Sequence, residues 1–215
     1  MIKVEKVETW GFDHAIRGAR NPLNSWKKSD SGTCSDKLVD CKEFCPNIFC
    51  VGANDMDLMR RLYKGGSEHR KYLRQIFISM DITAPLYWWK EFDTYKVGTV
   101  ANSCSTMHKI HAKEFTLDDF SHEHLITDWE RGLQSTVDLL NYARNRYLET
   151  KSKQAWWQMI QLLPSSYNQK RTLTMSYENA VNMIHQRKAH KLDEWREFVG
   201  ILMELPYMKE ILNED

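Results

Sequence analysis

The sequence predicts one α+β domain spanning residues 1–215. The chain is long enough for a single core and too short for two. Some segments alternate apolar and polar residues, as strands do, while longer segments repeat apolar residues every three or four positions, as helices do. These segments do not follow the regular strand–helix–strand order of a parallel sheet, so we expect the α+β class.

Composition excludes several classes of protein. The chain is 42% apolar and 27% charged, values typical of a soluble globular protein. Its net charge of +1 gives no overall field to attract nucleic acid or a membrane surface, and no apolar run is long enough to cross a bilayer. Five cysteines without a secretory signal favour a reducing compartment, so we expect a cytoplasmic protein.

The first third of the chain is predicted to contain two strands, two helices and a long loop. Asn21-Pro22 ends the first helix because a residue before proline avoids the helical region. Asn54 is the expected cap of the second helix. The strands are predicted at 1–10 and 47–51, the helices at 13–20 and 54–64, and the loop at 21–46.

The clearest strand is predicted at 73–82. Ile76, Ile78, Met80 and Ile82 share one face, and more polar residues occupy the other. A helix capped by Thr83 is predicted to follow and to reach about residue 96, with Pro85 in its first turn. Residues 97–116 are rich in Gly, Ser, Thr and Asn and are predicted to form a loop.

The second half is predicted to be mostly helical. The longest helix, 123–150, carries an apolar stripe at helical spacing. A helix at 153–162, a strand at 170–175, a helix at 177–188 and two final helical stretches follow. The stripe consists of Ile126, Trp129, Leu133, Val137, Leu140 and Tyr147.

Cysteine and histidine spacing gives little support for a metal site. Cys34, Cys41, Cys45 and Cys50 are six, three and four residues apart, without the tight pairs that structural zinc sites favour. The histidines between 108 and 124 fit no zinc-protease motif. We therefore predict no metal. Cys104, four residues before His108, is a weak candidate nucleophile that a simple surface thiol explains as well.

The helix predicted at 177–188 carries a polar stripe. Glu178, Asn182 and His185 are four and three residues apart and so share one face. Arg187 lies about 140° around the helix from Asn182. The stripe is either a solvated face with a separate surface arginine, or part of a helix that serves two sites between subunits.

Residues 81–107 resemble the flavin-dependent thymidylate synthases. That family has K-A-P after a strand, then R-Q, then the signature R-H-R-x-x-S-x-N-E-x-S-x-R-Y. When Ala84-Pro85 is aligned with A-P, Lys90-Glu91 falls on R-Q and Thr94-Tyr95-Lys96 on R-H-R. Thr99 falls on the first signature serine, and after one extra residue Asn102, Ser103, Ser105 and Met107-His108 fall on N, E, the second serine and R-Y.

Other segments resemble the same family in the same order. Residues 15–20 resemble its A-x-R-A-A-R helix. His69 falls on the first His of G-H-x-(S/T)-P-x-E-H, with Lys71 on the Ser/Thr and Gln75 on the second His. Leu163-Pro164 matches an L-P pair. In the late N-x-R-x-x-x-N-x-x-x-x-R helix, Asn182 and Arg187 match, whereas Ser176 and Glu178 replace the first Asn and the Arg.

The resemblance implies a central mixed or antiparallel sheet flanked by helices, and a homotetramer with active sites between subunits. It implies FAD-dependent methylation of dUMP to dTMP, with methylenetetrahydrofolate and NADPH as co-substrates. Arg187 would be the catalytic residue, holding the uracil ring ionised. The implied cofactor-binding residues are His69, Lys71, Thr94, Tyr95, Lys96, Ser176, Glu178 and Asn182. The implied substrate-binding residues are Glu91, Asn102, Ser103, Cys104, Ser105, Thr106, Met107 and Arg187.

Several signature arginines are absent, and this leaves other functions open. Thr94-Tyr95-Lys96 keeps one point charge where the family has two guanidiniums, Met107 replaces an arginine, and Glu178 reverses a charge. The alternatives are a related flavin- or folate-dependent modification of a pyrimidine nucleotide, and a non-catalytic nucleotide-binding protein on the same scaffold. A nucleic-acid-binding module is disfavoured by the near-neutral charge.

Overall fold

The structure, a computed structural model, describes residues 2–33 and 49–213 and combines helices with antiparallel sheet, which confirms the α+β class. Within the described residues, a four-stranded sheet has the order β1-β4-β6-β5, and β2 pairs with β3 in a short antiparallel ribbon. The strands are β1 Lys3–Trp10, β2 Gly32–Thr33, β3 Phe49–Cys50, β4 Phe77–Pro85, β5 Thr99–Ser103 and β6 Asn168–Ser176. The helices are α1 Phe12–Arg20, α2 Ala53–Lys64, α3 Leu86–Phe92, α4 Thr127–Thr150, α5 Lys153–Leu162, α6 Tyr177–Arg187, α7 Asp193–Met203 and α8 Met208–Leu212.

The face assignment of the central strand is confirmed. Ile76, Ile78, Met80 and Ile82 are all at most 1% exposed, and Phe77 on the other face is 36% exposed. The strand begins at Phe77 instead of residue 73, because Lys71–Arg74 form a 3-10 turn that buries Tyr72 and Leu73.

The start of α2 differs from the prediction. The helix begins at Ala53 after an extended Gly52, so Asn54 is not its cap. The Asp30 carboxylate instead accepts the backbone N–H groups of Asn54 and Asp55 at 2.8 and 3.1 Å. A distant carboxylate therefore takes the place of the adjacent side chain that the sequence suggested. The predicted loop 21–46 holds 3-10 turns at Asn21–Leu23 and Trp26–Lys28 and strand β2, and its residues 34–46 lie outside the described part of the chain.

The segment 83–103 differs in two ways. Strand β4 continues through Thr83, so α3 begins at Leu86, where the N–H groups of Leu86 and Tyr87 bond to the carbonyls of Tyr167 and Ser165. The predicted loop 97–116 contains strand β5, which the polar composition concealed. Asn179 Nδ2 donates to the Val97 carbonyl at 2.9 Å at the start of this strand.

Helix α4 begins at Thr127 and buries only part of its predicted stripe. Leu133, Val137 and Leu140 are at most 9% exposed, whereas Ile126 and Trp129 are each 68% exposed. The helices α5, α6, α7 and α8 occupy the predicted regions.

Residue contacts divide the chain into two compact units, and each includes part of all four sheet strands. The first comprises 1–6, 80–96 and 101–173; its core packs α4 against α5 around Leu140 and Met159. The second comprises 7–79, 97–100 and 174–215; there α6 packs on α7 and on the 3-10 turn, and α2 packs on α8. The prediction of one domain over 1–215 stays a prediction. None of the described helices is long and apolar enough to cross a membrane.

Candidate functional site

The N-terminus of α6 is set by Ser176, which the resemblance places among the cofactor-binding residues. Its buried hydroxyl accepts the backbone N–H of Asn179 at 3.4 Å, so this side chain acts as the helix cap. The cap fixes the rotation of α6 and so directs Glu178 and Asn182, one turn apart, to the same side.

Glu178 is held by two arginines of the second unit. Arg74 donates Nε to Oε2 in a short bond and Nη2 to Oε1 at 3.1 Å, a two-bond arrangement that matches guanidinium to carboxylate. Arg70 Nε lies 3.8 Å from the same Oε1. The hydrogen bond to Glu178 raises the pKa of Arg74. The reversed charge of Glu178 is thus neutralised within the chain.

Arg70 joins Glu178 to Asn182. Its Nη2 donates to Asn182 Oδ1 at 3.4 Å, and its guanidinium lies over the Tyr63 ring with 5.8 Å to the centroid. Its buried Nε has no hydrogen-bond partner among the described residues. The polar stripe is completed by His185, whose Nε2 lies 2.6 Å from the Tyr63 hydroxyl. The predicted stripe therefore lies along Arg74, Arg70 and Tyr63 of the same unit.

His69 and Lys71 line a cleft of about 400 Å³ in the second unit. Gly18 and Ala19 of α1 form another part of its wall, so two segments that resemble the family are brought together. Both predicted side chains are exposed.

Arg187 is the last residue of α6. Its guanidinium lies over the Trp195 ring, 4.7 Å from the centroid, in a cation–π contact with a fully buried indole. The contact holds the arginine in one orientation, while the stripe of Glu178 and Asn182 points elsewhere on the helix.

The other predicted cofactor residues lie in the first unit, after α3. Thr94 donates its hydroxyl to the Glu91 carbonyl at 2.7 Å, closing the turn that ends the helix. The half-buried Tyr95 packs against Phe92 with ring centroids 6.3 Å apart, and Lys96 is exposed. These residues form a compact turn that presents one exposed ammonium.

The predicted substrate segment, Asn102 to Met107, is attached to β6 and α5 of the first unit. On the α5 side, Trp156 Nε1 donates to the Met107 carbonyl at 3.0 Å. The Cys104 N–H donates to the Lys170 carbonyl at 2.9 Å, and Gln169 Nε2 donates to the Cys104 carbonyl at 2.7 Å. Ser105 Oγ accepts the N–H groups of Met107 and His108 at 3.2 and 2.9 Å. Several backbone donors of this loop therefore already have partners, while Asn102, Ser103 and Thr106 lie on its exposed or half-buried surface.

No set of three or more His, Cys, Asp or Glu side chains in the described parts of the chain is arranged to hold a metal ion. Cys50 is half-buried and the Cys104 thiol is exposed. Cys34, Cys41 and Cys45 lie outside the described residues.

Sequence reasoning missed Arg70, Arg74 and Tyr63. A usable signal was present, because the register that places His69 and Gln75 on the G-H-x-(S/T)-P-x-E-H motif also places Arg74 on its Glu. Arg74 thus stands where the motif has an acid, and Glu178 where the late-helix motif has an arginine. The two charges are exchanged, and the structure pairs them.

The fold is that of the flavin-dependent thymidylate synthases. A crystal structure of Thymidylate Synthase X (ThyX) from Helicobacter pylori with FAD and dUMP matches 100% of this chain and 98% of its own, with a TM-score of 0.71 and 17% sequence identity. A second structure of the Helicobacter pylori enzyme, complexed with FAD and dUMP, gives a TM-score of 0.70 and 17% identity over 99% of this chain. No protein-family model matches the sequence, and no curated protein matches it significantly.

Proposed function

We propose that the chain is a FAD-dependent thymidylate synthase that methylates dUMP to dTMP, using methylenetetrahydrofolate and NADPH. The observation that carries this proposal is similarity of fold over the full length to a protein whose structure contains FAD and dUMP. Because a fold alone does not define a reaction, support from individual residues is also needed.

The second unit offers residues that suit an anionic dinucleotide. Arg70 has a buried N–H that finds no hydrogen-bond partner among residues 2–33 and 49–213, and the nearby Lys71 is exposed. Ser176 at the cap of α6, with Glu178 and Asn182 in the helix, occupies positions that the resemblance assigns to FAD, although only Asn182 matches the motif. On the resemblance alone, Thr94, Tyr95 and Lys96 are proposed as further FAD contacts, with Lys96 supplying charge. Bound FAD in its reduced form would transfer the one-carbon unit and the electrons.

Arg187 is proposed to act on the pyrimidine ring. An arginine stays protonated at any working pH, so it can stabilise negative charge on the uracil without exchanging a proton. Trp195 beneath its guanidinium restrains the side chain before substrate arrives. Glu91 and the loop from Asn102 to Met107, including Cys104 and Ser105, are proposed to hold the rest of the nucleotide.

The proposed assembly is a homotetramer with sites between subunits, in the cytoplasm. Exposed apolar side chains on α4 support association, since Trp129, Leu139 and Tyr142 are each more than half exposed. Large apolar side chains of this kind are typical of subunit interfaces.

A non-catalytic nucleotide-binding protein is the second candidate. It is favoured by the loop after β5, where Met107 stands in place of a signature arginine and the Cys104, Met107 and His108 N–H groups bond within the chain. Such a loop has fewer donors left for a nucleotide phosphate.

Flavin binding and turnover separate the two candidates. The purified protein would be titrated with FAD and followed by flavin fluorescence, and the reduced complex would then be mixed with dUMP and methylenetetrahydrofolate. The proposal expects saturable FAD binding and dUMP-dependent oxidation of the flavin. Nucleotide binding without FAD binding would favour the non-catalytic protein, and absence of both would contradict each candidate.

A further inference from the structure

We propose that Arg70 binds the phosphate of a nucleotide ligand, and that Glu178 and Asn182 hold its guanidinium in position for that contact. The identity of the nucleotide rests on the proposed function. The phosphate contact itself rests on the bonding of Arg70 in the second unit.

Arg70 makes few hydrogen bonds for a largely buried cation. Its side chain is 20% exposed and carries five N–H donors. Within the described residues it makes one hydrogen bond, the long 3.4 Å contact to Asn182, and its buried Nε has no hydrogen-bond partner. Buried charged donors are normally satisfied, so this deficit points to an anionic partner beyond the described residues.

Two other arginines of the same unit show the usual arrangement. Arg74, whose side chain is 54% exposed, makes two bonds to Glu178. Arg20, only 5% exposed, leaves Nη2 unpartnered but donates Nε to Asp55 at 2.6 Å. Arg70 differs from both because, in the described part of the chain, no carboxylate oxygen lies within hydrogen-bond distance of it.

The local charge balance favours an anion beside Arg70. Arg70 and Arg74 share one carboxylate, that of Glu178, and Asn182 is neutral. The charge of Glu68 also acts on Arg74, whereas the carboxylate contact of Arg70 among the described residues is the 3.8 Å approach to Glu178. Its planar guanidinium is the group best suited to phosphate. The Tyr63 ring supports one face of it, while Asn182 and Glu178 contact its edge.

Matched ligand pairs test the phosphate contact. FMN and riboflavin differ only by a phosphate, as do dUMP and deoxyuridine, and FAD completes the set. Calorimetric titrations would compare the unmodified protein with Arg70→Gln and Arg70→Lys, with Arg61→Gln as the matched control. Arg61 is an exposed arginine of the same unit that pairs with Asp57.

We expect Arg70→Gln to weaken binding of the phosphorylated ligand of one pair by about 10- to 100-fold, the scale of a hydrogen bond to a charged group. Binding of riboflavin and deoxyuridine should be unchanged in Arg70→Gln, and Arg61→Gln should bind all five ligands as the unmodified protein does. Arg70→Lys should be intermediate because it keeps the charge but loses the fork. The ligand pair whose affinity changes shows whether the phosphate belongs to the flavin or to the pyrimidine nucleotide. The affinity for FAD should change in the same direction as that for FMN.

Glu178→Gln gives an independent test of the local charge balance. Removing the carboxylate leaves two arginines without their shared anion, so phosphate binding should tighten by several-fold. A merely structural contact would not produce this gain.

The inference is overturned if folded Arg70→Gln keeps full preference for the phosphorylated ligands. Should that variant not fold, an unchanged preference in Arg70→Lys has the same meaning. It is also overturned if the unmodified protein binds none of the five ligands. Phosphate binding that depends on Arg70, without dTMP formation, would support the inference and contradict the proposed function. dTMP formation at an unchanged rate in Arg70→Gln would contradict the inference and support the proposed function.

Discussion

Arg74 and Glu178 form a two-bond ion pair in which each residue carries the charge opposite to that of the motif position it occupies. A single reversal at Glu178 would place a carboxylate where the motif has a cation. Arg74, which stands where the other motif has an acid, supplies the matching positive charge. The departure of Glu178 from the motif is therefore a paired change and is not by itself evidence that the site has been lost.

The ion pair predicts how variants that exchange the charges of residues 74 and 178 affect stability. Glu178→Arg alone would place a third arginine beside Arg70 and Arg74. The repulsion between these like charges should lower the free energy of unfolding by about 1 kcal/mol or more. Adding Arg74→Glu should recover most of this loss. Urea unfolding of the two single variants and the double variant measures the coupling. Purely additive effects would show that the contact contributes nothing.

The Arg20–Asp55 pair predicts an acid-sensitive second unit. Burial tends to raise the pKa of Asp55, but hydrogen bonds from Ser31, Ser29 and Arg20 outweigh it and hold the pKa below its usual value. A carboxylate with a depressed folded pKa stabilises the fold above the unfolded pKa of about 4, and this contribution is lost as the pH falls through the folded value.

Asp55→Asn removes the charge and should lower the free energy of unfolding at pH 7 by about 3 kcal/mol, because it leaves the buried Arg20 uncompensated. The difference between variant and unmodified protein should shrink below pH 4. Denaturant unfolding at pH 7 and pH 3.5 tests this, and an equal difference at both values would contradict it.

Substitution of Arg187 distinguishes a role in catalysis from a role in stabilising the fold. Arg187→Gln removes the cation from the Trp195 ring and should cost about 1 to 2 kcal/mol of stability. If the guanidinium stabilises charge on the uracil, turnover should fall by about a hundredfold or more. Thermal unfolding and dTMP formation would be measured on the same samples. A loss of stability with unchanged turnover would leave Arg187 a structural residue.

The exposed apolar surface of α4 predicts self-association. Tyr142 is 67% exposed, and Tyr142→Glu should weaken assembly without changing helix content, because a charge cannot be buried cheaply in an apolar interface. Sedimentation at micromolar concentration should show a tetramer for the unmodified protein and smaller species for the variant. Glu149→Gln, at an exposed position of the same helix, is the control. A monomer in every case would contradict the proposed assembly.

Periodicity predicted the parts of the fold that depend on local pattern. The alternation at 76–82 identified a buried strand face, and helical spacing identified α5 and α6 closely. Contacts distant in sequence were not predictable in this way: Asp30 caps α2 across more than twenty residues. Strand β5 is exposed along most of its length and so lacks the apolar alternation that would reveal it.

The candidate site was predictable only in part. The stripe of Glu178 and Asn182 followed from spacing, but its partners did not, since Arg70 and Arg74 resemble surface arginines when the sequence is considered alone. Only the structure shows that Arg74 makes two bonds to Glu178 while Arg70 makes one long bond to Asn182. The roles assigned to the site residues of both units, from His69 to Arg187, stay predictions.

Formation of dTMP from dUMP, methylenetetrahydrofolate and NADPH is the most direct test of the proposed function. The purified protein would be incubated with and without added FAD, and products would be separated by chromatography. We predict dTMP in excess over the protein, dependent on FAD. Absence of dTMP from folded, FAD-saturated protein would contradict the claim that this fold still carries out thymidylate synthesis.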